Sequence, residues 1–349
     1  MGTPFPLGKL PADVLARLLA SVAPTDPRVI VGPGIGLDAA VIDIGDRLLV
    51  AKSDPITFAT DSIGWYAVQV NANDIVTTGA TPRWFLATVL LPARPAATIG
   101  YANRVGSRAD EALAQEILNQ IHHACAGIGA SLVGGHTEIT YGLDRPIVVG
   151  AMLGEVARER LVTPSGARPG DALLLTKGIA IEGTALIARE KAGELGEFGD
   201  EFLERCRNFL IEPGISIVRD AMRAVSAGRV HAMHDPTEGG LATGLHEMAQ
   251  AAGIGLTIDS EAVPVYPETL AVCRAAGLDP WGLIASGALL LAVEAADAQN
   301  IVRALKAEGI RAAIIGQATQ AASGVKLRQP QGLIDLPHFE RDEIARLFE

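Results

Sequence analysis

The chain has 349 residues, of which 49% are hydrophobic, 20% charged and only 4% aromatic, and its formal net charge is −11. This length suits about two domains of ~150 residues each, with largely aliphatic cores. The negative charge argues against nucleic acid as a partner, because phosphate backbones are bound by basic surfaces. No apolar run could cross a bilayer and the N-terminus lacks a signal-peptide pattern, so we expect a cytoplasmic protein without a membrane partner.

The first glycine-rich segment, RVIVGPGIGLDAAVIDIGDRLLVAKSDP (28–55), raises the question of a dinucleotide-binding loop. Such a loop needs a helix that begins at the glycines, so that its N-terminus faces the pyrophosphate. Here two short β-rich runs follow, around Gly45-Asp46, and they predict a hairpin instead. The segment also carries Asp38 and Asp54. An acid pair beside flexible backbone is typical of a magnesium–phosphate site, whereas ordinary turn positions would explain each Asp alone.

A helix is predicted over residues 62–79. Its second half carries Asn71, Asn73 and Asp74 among apolar residues. Asn is a poor helix former, so two of them beside an Asp need a reason. The simpler alternative is a solvated helix face.

The rest of the first half predicts three further strands and one helix. The predicted elements are a strand at 84–92, an amphipathic helix at 107–127, a strand at 130–140 that breaks at a glycine pair, and a strand at 145–156. This order indicates an α+β domain with a mixed or antiparallel sheet. A Pro- and Gly-rich stretch then places a domain boundary near residue 160, which gives domains 1–160 and 161–349.

The second half continues the alternation of helices and strands. We expect strands at 172–176, 254–258, 286–293 and 312–317, and helices near 181–192, 199–209, 214–227, 268–276 and 296–308. Between them, HDPTEGGLATGLHEMA (234–249) predicts a helix entry at Asp235-Pro236-Thr237. Gly239 and Gly240 would let a phosphate approach the helix N-terminus, although an ordinary capped helix fits the same residues.

Several common catalytic motifs are absent from the chain. His136-Thr137-Glu138 matches the start of a zinc deaminase motif, but no P-C-x-x-C follows it. His231 and His234 lack further ligands at metal spacing, which favours loop or core histidines. There is no G-x-S-x-G nucleophile elbow and no Walker phosphate loop. The three cysteines lie far apart in predicted helices, as expected for buried reduced thiols.

Five motifs, in this order, resemble the aminoimidazole-ribonucleotide-synthase-related (PurM-like) superfamily over about residues 30–320. They are DAAV, NANDIVTTGATP, VGGHTEI, PSGARPGDALLLTK and DPTEGGLATGLHEMA. Residues 235–283 are most similar to one of its branches, the hydrogenase maturation factor HypE.

The resemblance implies an N-terminal α+β domain whose sheet pairs with that of a second copy in a homodimer, and a C-terminal α/β lobe. It also implies ATP and Mg²⁺ in a cleft near the dimer interface, and phosphorylation of an acceptor oxygen. The positions that match metal-binding acids are Asp38, Asp54 and Asp74. The positions that match nucleotide contacts are Asp38, Asn73, Asp74, Gly134, Gly135, Asp235, Gly239 and Gly240. Candidates for catalysis are His136 and Glu138.

The chain departs from HypE at three places. No cysteine follows Cys273, so the C-terminal thiol of HypE is missing; Glu138 replaces a lysine; and residues 285–288 replace a Glu/Lys-containing turn. We therefore expect an ATP-dependent enzyme whose acceptor is a small molecule or another protein. Three alternatives stay open: hydrogenase maturation with a thiol from another protein, thiamine-monophosphate kinase, and a non-catalytic nucleotide-binding scaffold. Ile344, Leu347 and Phe348 predict a docked C-terminal helix, not a mobile tail.

Overall fold

The structure is a computed structural model with two helix-and-sheet units, which confirms the predicted α+β class. Gly36, Phe348 and residues 107–110 of a predicted helix lie outside its described part. The described residues are 10, 12–20, 24–34, 37–57, 61–93, 111–193, 195 and 198–347.

The N-terminal unit is built on a six-stranded mixed sheet. Its strands are β1 (Val29–Val31), β2 (Ala40–Asp43), β3 (Leu48–Ile56), β4 (Thr81–Pro92), β5 (Ser131–Thr140) and β6 (Ile147–Val156), in the spatial order β1-β2-β3-β6-β4-β5. Its helices are α1 (Ala12–Leu19), α2 (Ile63–Val76) and α3 (Glu111–Gly127). Only β4 and β5 pair in parallel. The predicted hairpin is confirmed, because β2 and β3 pair antiparallel across the turn at Gly45.

Helix α2 packs closely on the sheet because small residues face it. Alternate residues of β6 are fully buried, as expected when only one face of a strand meets the core. Two of them are Gly150 and Gly154, where an added Cβ would overlap the side chains of Asn71 and Ile75. Similarly, a Cβ at Gly64 would crowd the backbone of α3. The glycines thus set the distance between helix and sheet, and nearly all of α2 is buried.

The C-terminal unit is built on a seven-stranded sheet with one parallel pair, β9 with β12. Its strands are β7 (Ala172–Thr176), β8 (Val230–His234), β9 (Gly255–Asp259), β10 (Leu290–Val293), β11 (Ala312–Thr319), β12 (Val325–Gln329) and β13 (Gly332–Asp335), in the order β13-β12-β9-β11-β7-β10-β8. Its helices are α4 (Ile181–Glu190), α5 (Gly199–Arg207), α6 (Val218–Ala227), α7 (Gly240–Ala252), α8 (Pro267–Ala276) and α9 (Ala298–Ala307). Short 3₁₀ turns lie at Arg158–Arg160, Pro164–Gly166, Asn208–Leu210, Ala321–Ser323 and Glu343–Leu347.

Helices cover both faces of this second sheet. Leu174 and Leu291 point to one face and pack with α6 and α9, whereas Leu173 and Leu290 point to the other and pack with α7. The cluster on the α6 face continues into the N-terminal unit through α2. The two units therefore share one apolar core across their junction.

Some element boundaries differ from the sequence predictions. The strand at 130–140 does not break at its glycine pair, because β5 runs unbroken from Ser131 to Thr140 beside β4. Helix α6 begins at Val218 and not at 214. Strand β8 was not predicted at all. The C-terminal segment forms a 3₁₀ turn and not an α-helix, although Ile344 and Leu347 do pack against the core, as expected of a docked segment.

Candidate functional site

The three predicted metal-binding acids lie close together beside the junction of the two units. Asp38 precedes β2, Asp54 is on β3 and Asp74 is on α2. The ammonium of Lys52 lies 2.7 Å from the Asp74 carboxylate and 3.2 Å from that of Asp54. Asp38 is near enough to act electrostatically on both Lys52 and Asp74. The hairpin and α2 thus bring together residues up to 36 positions apart in the chain.

Asn71 explains one of the two unusual asparagines in α2. Its side-chain oxygen accepts the backbone N–H of Asp54 at 2.9 Å, and its amide donates to the Asp54 carbonyl at 3.3 Å. The same amide donates to Ala67 within the helix at 2.8 Å. Asn71 therefore fixes the backbone of Asp54 relative to α2.

Asn73 connects the two units. Its amide donates to the carbonyl of Ile215 at 2.8 Å, and its oxygen accepts the N–H of Ile217 at 2.9 Å. All three residues are buried. Asn73 also lies within hydrogen-bonding range of Asp235. Its amide is thus engaged by the backbone, which makes it a link between units as well as a predicted nucleotide contact.

His234, at the end of β8, is a site residue that the sequence reasoning missed. Its imidazole lies 3.4 Å from Asp38 and 2.8 Å from Glu247. Burial lowers the pKa of His234, but the two carboxylates outweigh burial and raise it to about 10. His234 is therefore an imidazolium that partly neutralises Asp38. Its position directly before Asp235, at the start of segment 234–249, could have indicated this role.

The buried acids of the cleft hold their protons more tightly than usual. Burial, with the nearby charge of Asp38, raises the pKa of Asp235 to about 8. Burial likewise raises the pKa of Asp74, although Lys52 opposes it. One oxygen of Asp235 is buried without a hydrogen-bond partner among the described residues. Each of these features favours a cation or a hydrogen-bond donor in the cleft.

The acids have the ligand type that Mg²⁺ prefers, and two of them are already arranged around one cation position. Carboxylate oxygens are the ligands that Mg²⁺ prefers, and nucleotide sites use one or two of them together with phosphate oxygens. Asp54 and Asp74 already converge on one cation position, which the Lys52 ammonium holds. Within the described ranges, no three His, Cys, Asp or Glu side chains stand ready to hold a metal. The residues therefore fit a metal shared with a phosphate ligand, provided that Lys52 moves.

The predicted helix entry lies later in the chain than expected, because α7 begins at Gly240 after Gly239. Both glycines have positive φ, and a Cβ at Gly240 would overlap the carbonyl of Trp281. The N-cap residue is Gly239, which has no side chain that could cap the helix. Instead, the Gly239 N–H donates to the Asp342 carboxylate at 2.7 Å. A residue of the C-terminal segment thus takes the place where a phosphate was predicted.

The other predicted residues lie away from this cluster within one chain. Gly134 and Gly135 were predicted in a nucleotide-contacting turn, but they are inside strand β5, at the sheet edge. Pairing aligns Asp54, Gly150, Ala87 and Gly135 in one row across the sheet. Three strand spacings make that separation roughly 14 Å. Gly135 has positive φ, and a Cβ there would overlap the Ala87 carbonyl, so the close strand contact and not a turn requires this glycine.

The two catalytic candidates are on the same edge strand. His136 and Glu138 pair with each other at 3.1 Å, and both side chains are about half exposed or more, at 65% and 48%. Thr140 donates a further hydrogen bond to Glu138 at 2.8 Å. His136 is one position and Glu138 three positions beyond Gly135 on β5, so a single chain does not bring the pair to the acids.

Family comparison agrees with this architecture. The family model for the N-terminal domain of AIR synthase related proteins matches residues 36–156, and that for the C-terminal domain matches residues 168–327. The chain belongs to the AIR synthase related family.

Individual relatives point to the HypE branch of that family. A protein of Methanocaldococcus jannaschii, provisionally named for hydrogenase expression/formation, is 28% identical over 320 residues, 88% of each chain. Carbamoyl dehydratase HypE of Rhodobacter capsulatus is 28% identical over 306 residues, 84% of this chain and 82% of its own.

Solved structures share the fold. Hydrogenase maturation protein HypE in complex with ATP is similar with a TM-score of 0.69 and 23% identity, over 94% of this chain and 95% of that one. The protein ThiL complexed with AMPPCP and TMP is similar with a TM-score of 0.68 and 19% identity, over 94% of each chain.

The thiols of this family member are not placed for surface chemistry. Cys125, Cys206 and Cys273 are all buried, as predicted. Burial raises their thiol pKa values to about 11, 11 and 12 respectively. A thiolate is the reactive form, so these residues are poor nucleophiles.

In the described part of the chain, no helix is long and apolar enough to span a membrane.

Proposed function

We propose that this chain is an ATP- and Mg²⁺-dependent enzyme that activates an oxygen of an acceptor by phosphorylation. The observation that carries the proposal is the convergence of Asp54 and Asp74 on one cation position at the junction of the two units. Support also comes from the family, whose fold relatives include proteins named as complexes with ATP and with an ATP analogue. The acceptor is a small molecule or a group on another protein.

The residues of the cleft have separate tasks in this proposal. Asp54 and Asp74 would hold Mg²⁺ together with phosphate oxygens, and Mg²⁺ there would supply neutralisation of the phosphate charge. Asn71 keeps Asp54 in register with α2. Asn73 holds the two units together beside the cleft. Asp235, neutral over much of the physiological range, can donate a hydrogen bond where an ionised acid would repel phosphate.

We further propose that the protein is a homodimer through its N-terminal sheet. Helices α2 and α3 lie on one face of this sheet, and the other face presents partly exposed apolar side chains. They are Leu49, Ala51, Trp84, Leu86, Val149, Ala151 and Leu153. An apolar surface of this kind is typical of an interface.

Carbamoyl dehydratase chemistry is the second candidate, favoured by the HypE relatives. It would need a thiol from another protein, because the three cysteines of this chain are buried with raised thiol pKa values. Incubation with ATP and a carbamoyl-donating protein, followed by mass spectrometry, tests this. A carbamoyl or cyanide adduct on one of these three cysteines would favour a HypE-type activity that uses the chain's own thiol.

Calorimetric titration with a non-hydrolysable ATP analogue tests the main proposal. We expect binding by the wild type with Mg²⁺, and at least roughly tenfold weaker binding by Asp74→Asn, since a charge-assisted metal contact is lost. Asp46→Asn is the matched control, because Asp46 lies in the exposed hairpin turn of the same unit. Absence of binding by the folded wild type would rule out both the enzyme and the nucleotide scaffold.

Light scattering at micromolar concentration tests the dimer, and a monomer would contradict it.

A further inference from the structure

Lys52 is an unusual residue for its position on β3. Alternate residues of this strand, Leu48, Val50, Lys52 and Asp54, face α2, and the first two are fully buried. A lysine on the buried face of a strand normally costs stability unless acids compensate for its desolvation. Here it contacts two acids, Asp54 and Asp74, with a third, Asp38, nearby.

The geometry of this contact resembles that of a bound cation. The ammonium lies between carboxylates from two different elements, β3 and α2, at 3.2 and 2.7 Å. The site is open to solvent, because the side chains of Lys52 and Asp54 retain 21% and 32% of their accessible surface. An ammonium on a flexible four-carbon stem can leave such a position without a change in the backbone.

We propose that Lys52 is a resident cation that competes with divalent metal for Asp54 and Asp74 and so makes metal binding depend on a phosphate ligand. This inference rests on the proposed function, which makes these two acids the metal ligands. Without a phosphate group, a metal ion must displace Lys52 and gains only the same two carboxylates. With nucleotide, phosphate oxygens complete the metal coordination and offer Lys52 an alternative anionic partner. Lys52 is thus a residue that makes metal binding depend on phosphate and is not itself a metal ligand.

The test is Mn²⁺ binding, followed by the electron paramagnetic resonance signal of free Mn²⁺, with no nucleotide present. We expect Lys52→Met to bind Mn²⁺ roughly tenfold or more tightly than the wild type, because a positive charge at contact distance is removed. Lys52→Arg keeps the charge and should bind as weakly as the wild type. Lys326→Met is the matched control, since Lys326 pairs with one exposed carboxylate, Asp335, at 2.6 Å. Adding Asp74→Asn to Lys52→Met should abolish the gain.

The outcomes separate this inference from the proposed function. Equal Mn²⁺ affinity of the wild type and Lys52→Met would overturn the role of Lys52, even if the wild type binds Mg²⁺-nucleotide through Asp74. A gain in Lys52→Met that survives Asp74→Asn would also overturn it, because the metal would then bind elsewhere. Failure of the wild type to bind nucleotide would overturn the proposed function. If Lys52→Met does not fold, Lys52→Gln serves in its place, because its amide still donates to one carboxylate.

Discussion

Replacing Asn73 with alanine tests whether this residue holds the two units together. The change removes the donor to the Ile215 carbonyl and the acceptor for the Ile217 N–H, and both groups are buried. A buried polar group left unpaired costs ~1–3 kcal/mol, so two of them should lower the free energy of unfolding by ~2–6 kcal/mol. Whole domains are stable by only ~5–15 kcal/mol, so this is a large fraction.

Urea denaturation followed by circular dichroism measures this loss for Asn73→Ala. Asn119→Ala is the control, because Asn119 is an exposed residue of α3 and its replacement should change stability by less than ~0.5 kcal/mol. A loss below ~0.5 kcal/mol in Asn73→Ala, together with weaker nucleotide binding, would refute the link between units. That result would show that the Asn73 amide serves the nucleotide alone.

Three further changes follow from the same kind of reasoning. Burial raises the pKa of Glu182 from 4.5 to about 7. The stability that this group contributes is therefore present below pH 4.5 and is lost as pH rises through about 7. The free energy of unfolding of Glu182→Gln should exceed that of the wild type by up to about 3 kcal/mol at pH 8.5 and by little at pH 4.5. Urea unfolding at both pH values checks this, and Glu201→Gln, an exposed change, should show no such trend. Gly135→Ala should lower the melting temperature by forcing β5 away from β4, whereas a Cβ at Gly134 meets only Leu86, in ordinary contact at 4.0 Å, so Gly134→Ala should not. Asp342→Ala should cost ~1 kcal/mol of unfolding free energy in the same urea assay by removing the cap of α7; no loss would show that the cap is dispensable.

Local signals made two elements of the N-terminal unit predictable. The Gly45-Asp46 turn between β-branched runs was sufficient for the β2–β3 hairpin, and the start and stop signals at Ser62 and Gly79 were sufficient for α2. Strand β8 was missed because its residues include His231 and His234, which are buried only because Asp171, Asp38 and Glu247 pair with them. Those partners are distant in sequence, so no window around the strand reveals them.

The candidate site was predictable in its residue types but not in its contacts. Asp38, Asp54 and Asp74 lie close together, and their role as metal ligands, which the family resemblance implied, stays a prediction. The part played by Lys52 had a usable signal, since it falls at an inward position of an alternating strand. The hydrogen bond of Asn71 to the backbone of Asp54 had no such signal, because the two residues are 17 positions apart.

The C-terminal segment bears directly on what the acceptor can be. The Asp342 carboxylate accepts the N–H of Gly239 at the start of α7 and that of Ile344 at 2.8 Å, and Leu347 packs against the core. A segment held by buried contacts and by a helix N-terminus is part of the fold, and it cannot present a reactive group to the cleft without breaking them. An acceptor supplied by the chain's own tail would also need a thiol that this segment lacks. This docking supports the proposal that the acceptor is a small molecule or a group on another protein.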